Sequence, residues 1–301
     1  MIRKMAALLL LALLCAGTAL AGETGVAVTD MYGREIVLDA PAARIVALTP
    51  ADCEILCALG CGDALVGRGA YCDYPASIAQ VPVVQSGAET NLEEILALEP
   101  QVVLMGDMAQ SKEQVDQLEQ NGVRVVISNA DDIAGVYTAI RMIGALMGRD
   151  AEADALIEDM QATFEDIAAR SAKREETIYF EVSPLEWGLW TAGSGTFMDE
   201  LAAMCGVRNA FDDIEGWQAI SQEQVIDRSP DYIVSIAGMG ETAVEEILGR
   251  EGWGDVSAVR GGRVYNADSN AITRPGPRLK DAAIELYEFI NGAEAGEAPA
   301  A

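Results

Sequence analysis

Asn91-Leu-Glu-Glu-Ile-Leu-Ala-Leu-Glu-Pro-Gln-Val-Val-Leu104 is echoed by Ser221-Gln-Glu-Gln-Val-Ile-Asp-Arg-Ser-Pro-Asp-Tyr-Ile-Val234, 130 positions later along its whole length. Each copy opens on a residue that caps a helix N-terminus and places Glu or Gln three positions on, the capping-box pattern. An apolar pair follows (Ile95-Leu96, Val225-Ile226), then a proline that ends the helix (Pro100, Pro230), then a β-rich run. Two helix-then-strand units of one design, set so far apart, predict two similar α/β lobes. Each copy also carries a glutamate at the same helix position, Glu93 and Glu223. A matched pair of acidic knobs on paired lobes suggests docking onto a partner, although either alone is also a favourable first-turn charge.

Residues 1–21 read as a secretory leader. Arg3 and Lys4 precede the apolar run Met5 to Gly17, and Ala19-Leu-Ala21 supplies small residues for cleavage. The run is shorter than the roughly 20 residues a spanning helix needs. Cys15 offers the alternative of a lipid anchor, but Leu14 stands where such signals carry Gly, Ala or Ser. The expectation is an exported protein, in the periplasm or at the outer face of the cytoplasmic membrane. Removing Arg3 and Lys4 with the leader takes the net charge from −28 to −30. Such a field repels phosphate backbones, so nucleic acid is not an expected partner, and it favours a soluble monomer. The chain has 0 histidines, which excludes Ser-His-Asp and Cys-His catalysis and imidazole-based zinc sites. No catalytic residue and no intrinsic metal or cofactor is expected.

Along the chain, Gly25 to Leu38 reads as a hairpin around Tyr32-Gly33, and residues 44–127 alternate strands with helices. Such alternation implies a mostly parallel sheet. A helix from Asp150 to about Ala172 would span roughly 33 Å, long enough for a strut between lobes or for an ordinary packing helix. A second β/α alternation runs from Thr177 to Asn266, and a last helix ends near Ile290. The organisation expected is a leader at 1–21, an N-terminal lobe at 22–149, a long helix at 150–174, a C-terminal lobe at 175–292 and a tail at 293–301.

Two aromatic loops fall where strands end: Tyr71 with Tyr74, and Trp187 with Trp190, with Trp217 further on. Ligands of α/β sheets bind beyond the carboxyl ends of the strands, and flat rings stack on large conjugated ligands. Arg274 and Arg278 flank Arg-Pro-Gly-Pro-Arg, where prolines stiffen the backbone. Arg274 is the candidate for an anionic ligand group, and Arg278 is expected to pair with a local carboxylate. Gly193-Ser-Gly195, opening a helix, could present N–H groups to an anion. Of the cysteines, Cys61 and Cys72 flank a short strand and are the expected disulfide.

The run from Arg44-Ile-Val-Ala-Leu-Thr-Pro through Tyr-Cys-Asp-Tyr-Pro75 to Asn91–Pro100 resembles the iron-siderophore and vitamin B12 class of ABC-importer binding proteins. Ser221-Gln-Glu-Gln-Val and Arg-Pro-Gly-Pro-Arg278 share the resemblance, which covers nearly the whole mature chain in order. It implies two mostly parallel α/β lobes bridged by one long helix, with the ligand cleft between them. It also implies that Glu93 and Glu223 dock onto arginines of a membrane permease. Within the class, the cobalamin-binding proteins resemble this chain at Tyr71, a ligand-stacking tyrosine, and at Trp190, Trp217 and Arg274, which line the cleft. Two tryptophans of that pattern are replaced by small residues near Gly87 and Gly106, and the family's partner for Cys205 is Tyr287 here. The implied ligand is a metal chelate, cobalamin or another corrinoid first, then a ferric siderophore or haem. A competing reading is an enzyme on a related two-lobed fold, such as a tetrapyrrole metal chelatase; a third is a structural or sensory surface protein.

Overall fold

The computed structural model describes residues 25–292 apart from 88 and 107–110, so the leader, Cys15 and the 293–301 tail lie outside the described residues. An antiparallel hairpin, β1 (Val26–Thr29) and β2 (Glu35–Leu38), opens the fold and turns with Gly33 at φ 76°. Five parallel strands follow: β3 (Ile45–Ala47), β4 (Leu65–Gly69), β5 (Val83–Val84), β6 (Val102–Met105) and β7 (Arg124–Ile127). Their order is β5-β4-β3-β6-β7. Helices α1 (Pro50–Ala58), α2 (Leu92–Ala97), α3 (Lys112–Gln120) and α4 (Ile133–Met147) alternate with or follow these strands. The helix α5 (Asp150–Arg170) then leads to a second parallel sheet. It holds β8 (Thr177–Glu181), β10 (Arg208–Asn209), β12 (Tyr232–Ser235) and β13 (Val264–Asn266), in the order β10-β8-β12-β13. An antiparallel ribbon of β9 (Trp190–Ala192) and β11 (Trp217–Ala219) stands beside it. Its helices are α6 (Phe197–Met204), α7 (Gln222–Arg228), α8 (Ala243–Leu248), α9 (Ser257–Gly261), α10 (Ser269–Ile272) and α11 (Leu279–Asn291). The central strands β3, β6 and β12 are buried at every residue, as a parallel sheet covered by helices on both faces requires.

The 130-residue echo is a structural repeat down to its backbone strain. Asn91 and Ser221 cap α2 and α7, each accepting from the N–H three residues on. The reciprocal half of the box forms only at Ser221, where Gln224 returns the bond at 2.9 Å. At the first copy the Glu94 carboxylate instead accepts from the Gln85 N–H. Ile95 and Val225 are fully buried at matching positions. Glu99 (φ 49°) and Ser229 (φ 43°) are the two positive-φ residues other than glycine among the described residues, and they too are 130 apart. Each precedes a proline, whose ring disfavours the right-handed helical conformation of its predecessor. The right-handed helix cannot continue there, and the chain is observed to leave each helix through the left-handed region before β6 or β12.

Helix α5 runs for 21 residues, about 32 Å. Its buried positions Ala153, Ile157, Met160, Phe164 and Ile167 alternate steps of four and three, so one stripe faces inward. That stripe packs against α4 from the first half and α6 and α11 from the second. No helix among the described residues is long and apolar enough to cross a membrane.

Further contacts tie the halves together. The Phe197 N–H donates to the Asp131 carbonyl at 2.8 Å, and the Ile133 N–H to the Glu200 carboxylate at 2.7 Å. Lys280 at the start of α11 pairs with Asp159 on α5. The most buried link is Glu54 on α1, only 3% exposed. It accepts from Arg274 Nη1 at 3.1 Å, from Arg278 Nε at 2.9 Å and from Arg278 Nη2 at 2.7 Å. Removing one member of a buried ion cluster strands the others, at a cost of about 3–5 kcal/mol. Glu54→Ala should lose about that much stability in urea unfolding; a change under about 1 kcal/mol would mean the cluster does not hold the halves together.

Candidate functional site

The carboxyl ends of β3, β6 and β7 deliver Thr49, Gly106 and Ser128 to one rim of a cavity of about 400 Å³. Asn270, Thr273, Arg274 and Pro275 close it from the other half of the chain, and Tyr71 and Asp52 complete the wall. The site thus lies beyond the strand ends and between the sheets, where α/β folds hold ligands.

Tyr71 follows β4 and is 78% exposed. Its loop is fixed from beneath. A Cβ on Gly69 would sit 2.4 Å from the Leu48 carbonyl, so only glycine lets β4 turn there. Arg68 then donates to the Cys72 carbonyl at 2.7 Å, and Arg274 Nη2 to the Tyr71 carbonyl at 3.1 Å. The Tyr71 ring is exposed on a pinned backbone. Tyr74 is held differently, with the Arg278 guanidinium 4.2 Å from its ring centroid.

Trp190 and Trp217 sit on the β9–β11 ribbon. Trp190 pairs with Ala219 and Trp217 with Ala192, so the two tryptophans are diagonal neighbours on one face. Trp217 rests on Phe197, ring centroids 5.6 Å apart, which leaves Trp190 the more exposed. Neither lines the cavity that Tyr71 and Arg274 share. Trp187 is 77% exposed and belongs to a second concavity of about 390 Å³ with Leu185, Met239 and Glu246.

Arg274 reaches the cavity wall as expected, but its charge is already matched. Its Nη1 donates to Glu54 at 3.1 Å and Asp73 at 2.7 Å, and its Nη2 to Tyr71 O and to Asn270 Oδ1 at 2.8 Å. Arginine holds the Asp73 carboxyl below its usual range. All four terminal N–H groups are therefore committed, and the expected role against an anionic ligand group is corrected to that of a lobe-spanning tie. Arg278 does pair with a carboxylate near in sequence, Asp268, at 3.6 Å, but its hydrogen bonds go to Glu54, 224 positions away.

Two further expectations need correction. The N–H groups of Gly193 and Ser194 donate to the Gly216 and Ile214 carbonyls, both at 2.8 Å, so they shape the ribbon and are not offered to an anion. All five described cysteines are free thiols, and the Cys61–Cys72 disulfide is absent. Cys61 turns back toward the Leu59 carbonyl at the end of α1, while Cys72 and Cys53 both point at the Ala47 carbonyl, each at 3.8 Å. Cys205 donates to the Ala283 carbonyl, one turn before Tyr287 on α11.

Glu93 and Glu223 each occupy the second position of their helices, α2 and α7, and both are exposed. The helix-end N–H groups and the Ser221 hydroxyl lower the Glu223 carboxyl below its usual range, so it stays charged.

Asp52 is the residue that sequence reasoning missed. It is 0% exposed, lines the cavity and takes the Thr49 hydroxyl on Oδ2, while Oδ1 has no partner among the described residues. Burial raises its carboxyl to about 6, with Thr49 and Ser128 pulling weakly the other way. The available signal was an acid set inside the otherwise apolar start of α1.

A family model for periplasmic binding proteins matches residues 45–271. An uncharacterized ABC transporter substrate-binding lipoprotein of Bacillus subtilis is 33% identical over 272 residues, covering 88% of this chain and 85% of that one. A vitamin B12-binding protein of Salmonella choleraesuis is 28% identical, covering 83% and 91%. A solved periplasmic heme-binding protein from Roseiflexus superposes with a TM-score of 0.74 at 26% identity, covering 83% of this chain and 98% of that one. The chain belongs to the periplasmic binding protein family.

Proposed function

We propose that this chain is the extracytoplasmic substrate-binding subunit of an ABC importer, carrying a large metal chelate, with a corrinoid of the cobalamin type first. One observation carries the reading: a cavity beyond the strand ends, closed by residues from both halves of the chain and walled by the exposed ring of Tyr71. Kinship with a vitamin B12-binding protein and with an ABC substrate-binding lipoprotein supports it. Export at a leader ending near Ala21 and lobes at 22–149 and 175–292 joined through α5 complete the reading.

In this mechanism the Tyr71 ring stacks on one face of the chelate. Trp190 and Trp217 approach from the other lobe, while polar groups of the wall meet its substituents. Ferric siderophores and haem are the alternatives. One feature weighs against haem: Arg274 has no free terminal N–H for a propionate. The loaded protein then presents Glu93 and Glu223, one per lobe, to basic residues of the membrane permease.

A thermal-shift panel of cobalamin, cobinamide, haem and ferric siderophores tests the ligand class. A ligand at about a hundredfold its dissociation constant adds roughly 2.7 kcal/mol, and cobalamin or cobinamide should give the largest shift. No shift from any of them would overturn the reading. Replacing Tyr71 and Trp217 together with Ala should weaken binding by at least about 100-fold, since each buried ring contributes on the order of 1–3 kcal/mol. Unchanged affinity would remove both rings from the site. Exchanging both Glu93 and Glu223 for Lys should abolish uptake in cells while calorimetry shows ligand affinity intact; surviving uptake would refute the docking role.

A further inference from the structure

Asp52 and Glu54 sit two residues apart on α1, so they point in different directions. Glu54 turns to the opposite lobe and is saturated by two guanidiniums. Asp52 lines the cavity, where the Thr49 hydroxyl satisfies one oxygen; the Ser128 side chain also favours its charged form, yet no described group completes a hydrogen bond to the other oxygen. Buried polar atoms are nearly always hydrogen-bonded, and an orphan at a ligand cavity is a place where a ligand donor completes the set. The cation lining the same cavity, Arg274, has its terminal N–H groups on Glu54, Asp73, Tyr71 O and Asn270, so it does not neutralise Asp52. The rest of the polar wall, Ser128, Asn129, Asn270 and Thr273, is uncharged.

We infer that Asp52 is a specificity-determining residue of the cleft: its Oδ1 accepts a hydrogen bond from an N–H group of the ligand and thereby selects a chelate bearing amides over one bearing carboxylates. An amide N–H facing Oδ1 fills the missing bond. A ligand carboxylate in the same place would set two acceptors, and two negative charges, against each other with no free cation between them. The inference rests on the corrinoid reading above and adds to it the recognition of the ring's side-chain chemistry.

The test compares two corrinoids with one ring and different substituents, dicyanocobinamide, which carries amides, and cobyrinic acid, which carries carboxylates. Dissociation constants are measured by tryptophan fluorescence for the wild type, Asp52→Asn and Asp52→Ser. The wild type should prefer the amide form by at least about 100-fold, and both substitutions should shrink that ratio by about 10-fold or more, the range for one hydrogen bond to a charged group. Asp52→Asn keeps an oxygen to accept from the Thr49 hydroxyl and Asp52→Ser keeps a hydroxyl there, while both remove a buried charge, so the melting temperature should be unchanged or raised and both variants folded. A ratio kept intact in both variants, or no preference in the wild type, would overturn the assignment of Asp52 and leave the carrier reading standing. Failure of the wild type to bind either corrinoid would overturn the corrinoid reading and this inference with it.

Discussion

A single buried carboxylate, Glu54, meets two guanidiniums that arrive from more than 200 residues away in the chain. Burying a carboxylate and two arginines is costly unless every donor and acceptor is matched, and here the matching is dense. Arg274 also serves Asp73, the Tyr71 carbonyl and Asn270, while Arg278 lies over the Tyr74 ring. The cluster thereby fixes three things at once: the spacing of the two sheets on this side, the backbone of the tyrosine loop and the far wall of the cavity. It also removes the arginines from ligand chemistry, which is why the neighbouring acid, Asp52, is the charged group left facing the cavity.

Helix α5 complements the cluster. It joins the sheets covalently and packs on helices of both, and Lys280 to Asp159 fastens α11 along it. The Phe197 to Asp131 and Ile133 to Glu200 hydrogen bonds tie the halves at further points. These contacts and the Glu54 cluster join the halves on both sides of the cavity.

The repeat was legible in sequence because each of its parts obeys a local rule. A cap, a proline and a strand buried on both faces are all written within 14 residues, and they recur in the structure with the same buried helix position and the same left-handed exit, while the three-residue return forms only in the second copy. Helices α3 and α4 obey the same local rules, since each begins on a cap and one ends on glycine. The ribbon of β9 and β11 was not, because three-residue strands carry too little periodicity to read and depend on a partner about 27 positions away. The role of Arg274 was half legible: proline stiffening placed it at the cleft, but no local pattern could reveal that Glu54 and Asp73 would take its charge. The cysteine pairing failed for the same reason, since adjacency to one strand says nothing about which way a thiol turns. Asp52 was hidden by its company, an acid beside capping positions where acids are ordinary.

Charge and composition narrow the chemistry from the other direction. An acidic chain without histidine has neither a phosphate-binding field nor imidazole ligands, and its cavity presents the Tyr71 ring, amides, hydroxyls and a carboxylate bonded on one oxygen. Such a surface suits a ligand that brings its own metal and its own hydrogen-bond donors. Hydrogen exchange with and without cyanocobalamin tests this account most directly. Bound ligand should slow exchange together around Tyr71 and along 190–192 and 217–219, on both sides of the cleft. Protection confined to one side, or absent from both, would contradict a carrier that holds its ligand between two lobes.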